Sequence, residues 1–505
     1  MSTTVSRTNW AAIGGFLRQP AIAVVVAALA LSAVSLLYPS TPTYDPWAWI
    51  IWGREIIHLN LQTTGGPSWK PLPMFFTVPF AVFGSVAPDL WLVIARAGSL
   101  ISLLLAFLLA GRFLEATWGV ADAPRRGWVA TLGGVVAAVT VFLQVGYIRY
   151  AAMGDSEGLC NAVGFAAILW HLDGKRKGAL VFATAAGLLR PEVWPFLGLY
   201  GLWLWFSNPE LRRWLVGCAL ALPVLWFVPE YLGSGDFLRA ASRAKQPNEY
   251  SPAFAENPFV ETLRQGAPII PLVLHPIVLL SLPFLAWSAW RRRWLPVAVF
   301  AGAGAWVLLV AGMTQGGFAG NPRYMMLGTS LLAILGGYGL GSLMVLVRKV
   351  AALITPKLVV VASVLFTLAI PAAAWAKGIE ERIQQYANLN RVLHSEAGRR
   401  DDLPKVINLA GGRTTILKCG DVSTERFQVP LVAWYMDVHT LRIGSPVGDE
   451  PTPSPGTSFE TASPGNPPAP KYRPAGSKEV ASLGEWKVLQ ACSGNKLSEQ
   501  SDSSN

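Results

Sequence analysis

Ionisable side chains stand at the ends of apolar segments in several places along this 505-residue chain. The candidates for catalysis are Asp45 and Asp155, and the candidates for binding a substrate are Glu55, Lys70, Glu157, Arg190, Glu192, Arg323 and Tyr324. A carboxylate at a membrane boundary can take the proton from a hydroxyl. A cation at the same level can hold a lipid phosphate and stabilise the charge that develops as it departs. Together these groups meet the requirement for moving a sugar from a lipid phosphate to an acceptor.

Each of these residues also has a simpler structural explanation when it is taken alone. Asp45 precedes a proline and can be the N-cap of a helix that begins there. Lys70 can be an ordinary snorkelling lysine, and Asp155 can cap the helix that follows it. Arg190 and Glu192 interrupt an apolar stretch and can pair with each other, since ionisable groups at membrane depth are either paired or functional. What favours chemistry is that all of them fall on one predicted face of the membrane.

The composition is that of a membrane protein. Hydrophobic residues make up 52% of the chain and charged residues only 14%, against about 25% charged in soluble domains, and the mean hydropathy is +0.40. The net charge of +11 does not indicate nucleic-acid binding. The basic residues fall mostly in short loops between apolar runs, which is the distribution of cytoplasmic membrane loops.

Runs of about 20 apolar residues predict bilayer crossings. We predict about eleven, near residues 20–38, 88–111, 128–147, 157–172, 178–190, 193–206, 214–231, 268–288, 294–313, 324–347 and 358–376. The first is interpreted as an uncleaved signal anchor. The runs 178–190 and 193–206 are too short to span alone, so they are either tilted or half-helices that meet at Arg-Pro-Glu. The segment 72–86, which contains two prolines, is interpreted as re-entrant or interfacial.

The distribution of Lys and Arg predicts the orientation of these crossings. Basic clusters near residues 112–126, 175–177, 212–213, 291–293 and 348–357 would be cytoplasmic, as would the N-terminus, residues 1–19. Eleven crossings from residue 20 to 376 then put the C-terminus outside the cytoplasm. The loop 39–87 is the first outer loop, and its helix YDPWAWIIWGRE is apolar enough to lie in the membrane interface.

The tail, residues 377–505, reads as a separate extracytoplasmic α/β domain. We predict a helix at 379–400 and strands at TTILKC, VPLVAWYMDVHT and EWKVLQAC. The segment 444–476 is rich in Pro, Gly and Ser and is predicted to be a flexible insertion. Cys419 and Cys492 can form a disulfide if the tail lies outside the cytoplasm. The cysteine spacing gives no sign of a metal site.

Several short motifs resemble the polytopic GT-C glycosyltransferases, in particular the branch that contains protein O-mannosyltransferases and the aminoarabinose transferase acting on lipid A. The motifs, in chain order, are YDPWAWIIWGREI, KPLPMFFTVPFAVFG, LVIARAGSLISLLLAF with Arg96, MGDSEG with Asp155, and NPRYMMLG. The resemblance covers roughly residues 20–350. Two departures stand out. Pro46 takes the place of a second acid after Asp45, and Lys-Pro-Leu-Pro replaces Lys-Pro-Pro.

The resemblance implies an inverting glycosyltransferase that uses a polyprenyl-phosphate sugar on the outer face of the plasma membrane. Asp45 would be the general base, and Asp155 would orient the acceptor or assist the base. Lys70, together with Arg323, would hold the departing phosphate. The acceptor would be a cell-envelope glycan, lipid or protein. The resemblance implies neither a nucleotide sugar nor a cofactor, and a metal ion is not expected.

Two other classes of function remain open at this point. A transporter or lipid flippase would place its ionisable residues near the middle of the bilayer and seldom carries a large outer domain. A non-catalytic envelope-assembly protein would use its tail as a binding module. A cavity in which Asp45, Lys70 and Asp155 converge would favour the transferase over both.

Overall fold

The computed structural model describes residues 20–119, 127–354, 356–445, 454–461 and 473–492, and between residues 351 and 379 it describes the backbone. The predicted cytoplasmic N-terminus therefore lies outside the described residues. The described part of the chain is mostly helical, with a small sheet near its C-terminus.

The helices that precede the tail are named in chain order. They are α1 (Pro20–Val34), α2 (Tyr44–Ile57), α3 (Pro71–Ala81), α4 (Ala87–Trp118), α5 (Trp128–Phe142), α6 (Tyr147–Ala152), α7 (Glu157–Leu172), α8 (Arg176–Gly187), α9 (Trp194–Ser207), α10 (Arg212–Ser234), α11 (Arg239–Ala244), α12 (Pro258–Gly266), α13 (His275–Leu279), α14 (Ser281–Trp290), α15 (Trp294–Gln315) and α16 (Met326–Ile354). A further helix, α17 (Pro356–Leu409), runs from the last apolar segment into the tail.

A helix is present in each of the eleven predicted apolar segments, but their lengths differ. Within the described residues, six helical segments are long and apolar enough to cross a membrane, namely Pro20–Leu37, Gly84–Trp118, Pro209–Ser234, Leu272–Trp290, Trp294–Gln315 and Pro322–Val350. The short helices α8 and α9 do meet at the Arg-Pro-Glu break, which is a short 3₁₀ turn, Pro191–Val193. The chain is thus a multi-pass membrane protein, and the number of eleven crossings stays a prediction.

Close helix contacts through glycine hold the centre of the helical domain together. A Cβ atom added to Gly337 on α16 would lie 2.3 Å from the carbonyl oxygen of Gly133 on α5. A Cβ atom on Gly158, in α7, would lie 1.9 Å from the Ser99 hydroxyl on α4. Helices in membranes associate through such small residues, because lipid offers no hydrophobic driving force between them. These contacts fix the helix ends from which the polar residues project.

The helix α2, predicted to lie in the membrane interface, is covered by other parts of the protein. Trp47, Trp49 and Trp52 are each no more than 2% exposed. The ring of Trp49 packs edge-on against Trp91 of α4, and that of Trp47 lies 6.0 Å from Trp434 in the tail. Apolarity alone does not distinguish a helix covered by lipid from one covered by a distant part of the chain, and the level of α2 in the membrane stays a prediction.

The tail contains a five-stranded mixed sheet. Its strands are β1 (Asp421–Thr424), β2 (Ile443–Gly444), β3 (Gly456–Thr461), β4 (Lys478–Leu483) and β5 (Trp486–Ala491), in the order β2-β1-β3-β5-β4. The pairs of β1 with β2 and β3 are parallel, and the pairs of β5 with β3 and β4 are antiparallel. The end of α17 packs on β4 and β5, and it includes the predicted helix 379–400.

Two of the three strands predicted in the tail are helices in the structure. TTILKC lies in α18 (Gly412–Cys419), and VPLVAWYM forms α19 (Val429–Met436). Short apolar runs do not distinguish a buried helix from a strand by periodicity, and Pro430 at the start of α19 is a helix signal that the prediction missed. The third predicted strand, in EWKVLQAC, is confirmed as β5.

The segment 444–476 is only partly described, and its described centre is not a flexible insertion. Strand β3 lies inside it, between β1 and β5, and it pairs with both. The pattern Gly-Thr-Ser-Phe-Glu-Thr alternates too weakly to mark a strand, and the surrounding prolines conceal it. The predicted disulfide between Cys419 and Cys492 is confirmed, and it ties α18 to the end of β5.

Candidate functional site

Five short segments bring the predicted site residues to the first turns of five helices. Asp45 lies in the first turn of α2. Lys70 and Arg190 each directly precede a proline that begins a helical turn, and both have an extended backbone, as residues before proline prefer. Glu157 begins α7, and Arg323 lies in the 3₁₀ turn before α16. These residues therefore stand at or directly before helix starts, where the positive end of a helix dipole favours an anion.

Arg323 lies at the centre of this region and binds two acids. Its Nη2 atom lies 2.6 Å from Asp45 Oδ2, and its Nη1 atom lies 2.9 Å from Asp155 Oδ1. Its Nε atom lies 3.8 Å from Glu157 Oε1. Asp45 belongs to one part of the sequence and Asp155 and Glu157 to another, so a single guanidinium joins α2, α16 and the segment that begins α7.

Arg190 is a second, deeper cation of the same cluster. Its Nη2 atom lies 2.5 Å from Glu157 Oε1, and its Nη1 atom lies 3.6 Å from Glu192 Oε1. The guanidinium carbon also lies 4.5 Å from the centre of the Tyr324 ring. Glu157 is thereby shared between both arginines. Arg190 and Glu192 do pair with each other, as the simpler explanation proposed. Their contact is longer than the contact between Arg190 and Glu157.

Lys70 completes the cluster. Its Nζ atom lies 3.4 Å from the Ser156 hydroxyl and 5.0 Å from the centre of the Trp49 ring. Burial lowers the pKa of the Lys70 ammonium, and Arg190 lowers it further, whereas Asp45 raises it. The lysine is thus held against an aromatic face and next to the acids, with its head group available to an anion.

The charges of the cluster do not cancel. The acids Asp45, Asp155, Glu157 and Glu192 outnumber the cations Lys70, Arg190 and Arg323 by one. Burial raises the pKa of Asp155 to about 7, with Arg323 opposing the shift and the neighbouring acids adding to it. Burial would also raise the pKa of Asp45, but Arg323 and Lys70 outweigh it and lower that pKa. Asp155 is therefore the acid that takes up a proton more readily, and Asp45 the one that stays ionised more readily.

Asp45 does not cap α2, contrary to the simple explanation of its position. The helix begins one residue earlier, at Tyr44, and Thr43 is the residue before it. The Thr43 hydroxyl does not cap the helix either, and it donates instead to Asp155 Oδ1 at 3.1 Å. The Asp45 carboxylate is thereby free of a capping role and points at Arg323.

Glu55 is the predicted site residue that the structure does not bring into the cluster. It lies near the other end of α2, where its Oε1 atom is 2.7 Å from His439 Nδ1 of the tail. Its Oε2 atom accepts the backbone N–H of Gln62 at 2.9 Å. Glu55 therefore joins the membrane domain to the tail rather than to the cations around Asp45.

Sequence reasoning missed three side chains that touch the cluster. Thr43 and Ser156 bind Asp155 and Lys70, and Trp49 lies beneath the lysine. Ser156 had a signal, because it stands between two acids directly before a helix.

Arg96, quoted earlier as a motif residue, lies outside the cluster. It donates to the Ser35 hydroxyl and to the Ala152 carbonyl oxygen, both at 2.8 Å, and so fixes the segment that leads to Asp155.

Within the part of the chain that the structure describes, no group of three His, Cys, Asp or Glu side chains is arranged to hold a metal ion. The acids of the site instead face guanidinium and ammonium groups. Those cations can provide the positive charge that a phosphate needs.

The architecture described above is the GT-C fold, as the resemblance predicted. It is similar to the crystal structure of ArnT from Cupriavidus metallidurans bound to undecaprenyl phosphate, with 15% identity, a TM-score of 0.54, and coverage of 94% of this chain and 98% of that one. The apo ArnT structure gives 16% identity, a TM-score of 0.52, and coverage of 95% and 98%. No protein-family model and no curated protein sequence matches the chain. The likeness is one of fold along nearly the whole length of both chains.

Proposed function

We propose that this protein is a glycosyltransferase that moves a sugar from a polyprenyl-phosphate-linked donor to a cell-envelope acceptor on the outer face of the plasma membrane. The observation that carries the proposal is the contact of Arg323 with both Asp45 and Asp155, with Lys70 beside them. These residues combine a base with cations for a phosphate, at the first turns of helices. The fold adds support, since ArnT of the same fold has been crystallised with undecaprenyl phosphate.

The cations would hold the donor through its phosphate. Lys70 and Arg323 lie at the more open side of the cluster, where the side chain of Arg323 is 18% exposed. Arg190 is deeper, at 5%, and would act by holding Glu157 in place. A phosphate that binds Arg323 would compete with Asp45 for the same guanidinium, so donor binding would release the carboxylate that the reaction needs.

In the proposed step, the acceptor hydroxyl oxygen attacks the anomeric carbon of the sugar from the face opposite the phosphate. The new carbon–oxygen bond forms while the bond from the anomeric carbon to the phosphate oxygen breaks, which inverts the configuration. Asp45 takes the hydroxyl proton. The electron pair leaves with the polyprenyl phosphate, whose charge Lys70 and Arg323 stabilise. The balance of the step requires neither a cofactor nor a resident metal.

Asp45 is preferred to Asp155 as the base because it is the more accessible acid. The side chain of Asp45 is 15% exposed and that of Asp155 is 5%. A pKa of about 7 would suit a base, which makes Asp155 the second candidate. Its burial behind Arg323 and Thr43 instead fits a role in orienting the acceptor or assisting Asp45.

A transporter or flippase is a weaker candidate. Transporter sites lie near the middle of the bilayer, often at broken helices. Here the cluster lies at the helix starts on the side of the tail, and the tail packs directly on α2. A non-catalytic assembly protein would have no need to gather a carboxylate and two cations at one place.

The test compares Asp45→Asn with Lys70→Ala in purified protein, using a polyprenyl-phosphate sugar and a cell-envelope extract as acceptor. We expect Asp45→Asn to lower transfer by on the order of 100-fold or more, the usual contribution of a positioned base. Lys70→Ala should mainly weaken donor binding, with some loss of rate. Wild-type turnover in Asp45→Asn at normal expression would refute its role and transfer the assignment to Asp155.

Glu55→Gln is the matched control, because it removes a buried acid from the same helix outside the cluster. Its transfer rate should stay close to that of the wild type, provided the protein folds. Mass spectrometry of envelope glycans, lipids and glycoproteins from a deletion strain would identify the sugar and the acceptor.

A further inference from the structure

A groove lies at the end of the helical domain opposite the Asp45 cluster. Arg323 stands at the start of α16 and Lys349 near its end, and this helix has 29 residues. At 1.5 Å per residue it is about 44 Å long, whereas the hydrocarbon core of a bilayer is about 30 Å thick. The groove and the cluster therefore lie at opposite membrane surfaces. The groove shares no residue with the proposed reaction.

The groove is lined by cations and aromatic rings and has a volume of about 510 Å³. Its lining residues are Thr117, Trp118, Trp287, Trp290, Arg291, Arg292, Arg293 and Lys349. These described lining residues include four cations and no acid. The volume is small for a protein segment and sufficient for a phosphorylated head group.

Stacked tryptophans form the floor of the groove and hold two of its cations. The rings of Trp118 and Trp287 stack with their centres 4.4 Å apart. Arg291 lies 5.4 Å from the centre of the Trp287 ring, and Lys349 lies 5.4 Å from that of Trp118. Cations placed on aromatic faces lose less freedom on binding an anion, because their positions are already restricted.

The three consecutive arginines stand on a fixed turn. The N–H groups of Arg291 and Arg293 donate to the carbonyl oxygens of Trp287 and Ser288 at 2.9 and 2.8 Å. The buried Ser288 hydroxyl returns a hydrogen bond to the Arg293 carbonyl oxygen at 2.5 Å. Arg292 has a φ of +55°, a left-handed conformation that costs most residues about 1 kcal/mol or more. This turn is the one from which all three arginines line the groove.

We propose that this groove binds the head group of an anionic phospholipid in the leaflet opposite the Asp45 cluster. Basic pockets between helices at the cytoplasmic surface bind the head groups of such lipids, and the predicted orientation places these arginines in the cytoplasm. Trp290 lines the groove and is 75% exposed, and Trp294, which directly follows Arg293, is 60% exposed. Tryptophan rings favour the interfacial level of a bilayer, so a lipid is a better fit than a free anion.

The experiment measures lipid binding to the purified full-length protein by native mass spectrometry, with phosphatidylglycerol, cardiolipin and phosphatidylcholine titrated separately. We expect the anionic lipids to bind at least tenfold more tightly than phosphatidylcholine. The variant R291Q/R293Q/K349Q should lose that preference, since each basic residue near an anionic surface contributes about fivefold in affinity.

The control variant K175Q/K177Q/R213Q removes the same number of charges from predicted cytoplasmic loops outside the groove, and it should keep the preference. Equal binding of all three lipids to the wild type would overturn the proposal, even if the groove variant fails to fold. Equal loss in both variants would overturn it as well, by showing a general charge effect. Displacement of the lipids by millimolar inorganic phosphate would assign the groove to free anions.

Discussion

The titration of Asp155, a buried acid of the site, makes the stability of the protein depend on pH. Burial raises its pKa from 3.8 to about 7, and Arg323 opposes the shift. Because the pKa of the folded state lies above the ordinary value, folding favours the protonated acid. Its contribution to stability is therefore complete below about pH 4 and is lost as the pH rises through 7.

We expect Asp155→Asn to remove this dependence, because an amide does not titrate. As the pH rises from 5 to 8, the melting temperature of the variant should rise relative to that of the wild type. The measurement is the difference in melting temperature between the two proteins at each pH. Glu256→Gln removes an exposed acid outside the cluster and is the control for the loss of one negative charge. A constant difference for Asp155→Asn would contradict the raised pKa.

At the scale of residues, the sequence predicts the members of the site better than their contacts. Lys70 and Arg190 stand directly before prolines, and this pattern places them at helix starts. The sequence does not show that Arg323 would join acids from two other segments. Glu55 was misplaced because it lies about 15 Å along α2 from Asp45, and nothing in its neighbourhood indicates His439 as its partner.

The helices α2 and α3 carry Asp45 and Lys70, and their spacing depends on one glycine. A Cβ atom added to Gly53 on α2 would lie 2.5 Å from the carbonyl oxygen of Thr77 on α3. That distance is too short for any real side chain, and the neighbour is backbone. A larger residue must therefore push the two helices apart.

We expect Gly53→Ala to lower stability by about 1–3 kcal/mol through overpacking and to reduce transfer by separating Asp45 from Lys70. Gly302→Ala is the matched control, because nothing lies within 4 Å of a Cβ atom at that helical position. It should leave the stability unchanged or slightly raised. Chemical denaturation and the transfer assay measure both effects. Normal activity in Gly53→Ala would show that this spacing is not required.

At the scale of elements, long apolar runs predicted helices well, since length separates them from strands. The tail was harder. VPLVAWYM and TTILKC are short enough to fit either type of element, and burial on α2 or on the sheet decided the outcome. Strand β3 escaped detection because it lies between proline-rich segments and gains its stability from neighbours on both sides.

In the whole molecule, Arg54 is one of the links between the helical domain and the tail. Its guanidinium lies 2.7 Å from Asp437 and donates to the carbonyl oxygens of Trp434 and Val438 at 3.3 and 3.1 Å. We expect Arg54→Ala to weaken docking of the tail by on the order of 1–2 kcal/mol. Limited proteolysis should then cleave the tail faster.

Arg264→Ala is the comparison for that variant, because Arg264 is 81% exposed and pairs only within its own helix among the described contacts. Its proteolysis should match the wild type. Equal cleavage rates for Arg54→Ala and the wild type would contradict this role of Arg54. They would indicate that tryptophan packing, such as that of Trp47 on Trp434, holds the tail in place.

The orientation in the membrane is a prediction for the molecule as a whole. The basic groove lies at one end of α16 and the tail packs at the other, so the positive-inside rule puts the tail outside. A phosphatase reporter fused in the tail should be active, and one fused in the loop 112–127 should be inactive. The reverse pattern would move the Asp45 cluster to the cytoplasmic face and contradict transfer on the outer face.

During synthesis, Arg54 leaves the ribosome 383 residues before Asp437. At about 5–20 residues per second, this interval lasts on the order of 20–80 s. Until α19 is made, Trp47 of α2 lacks the cover that Trp434 and Tyr435 of the tail will supply, and a lipid surface is where such an apolar helix would rest. We therefore expect α2 to rest on the bilayer surface while the chain is being synthesised. We expect it to leave that surface when the tail folds over it.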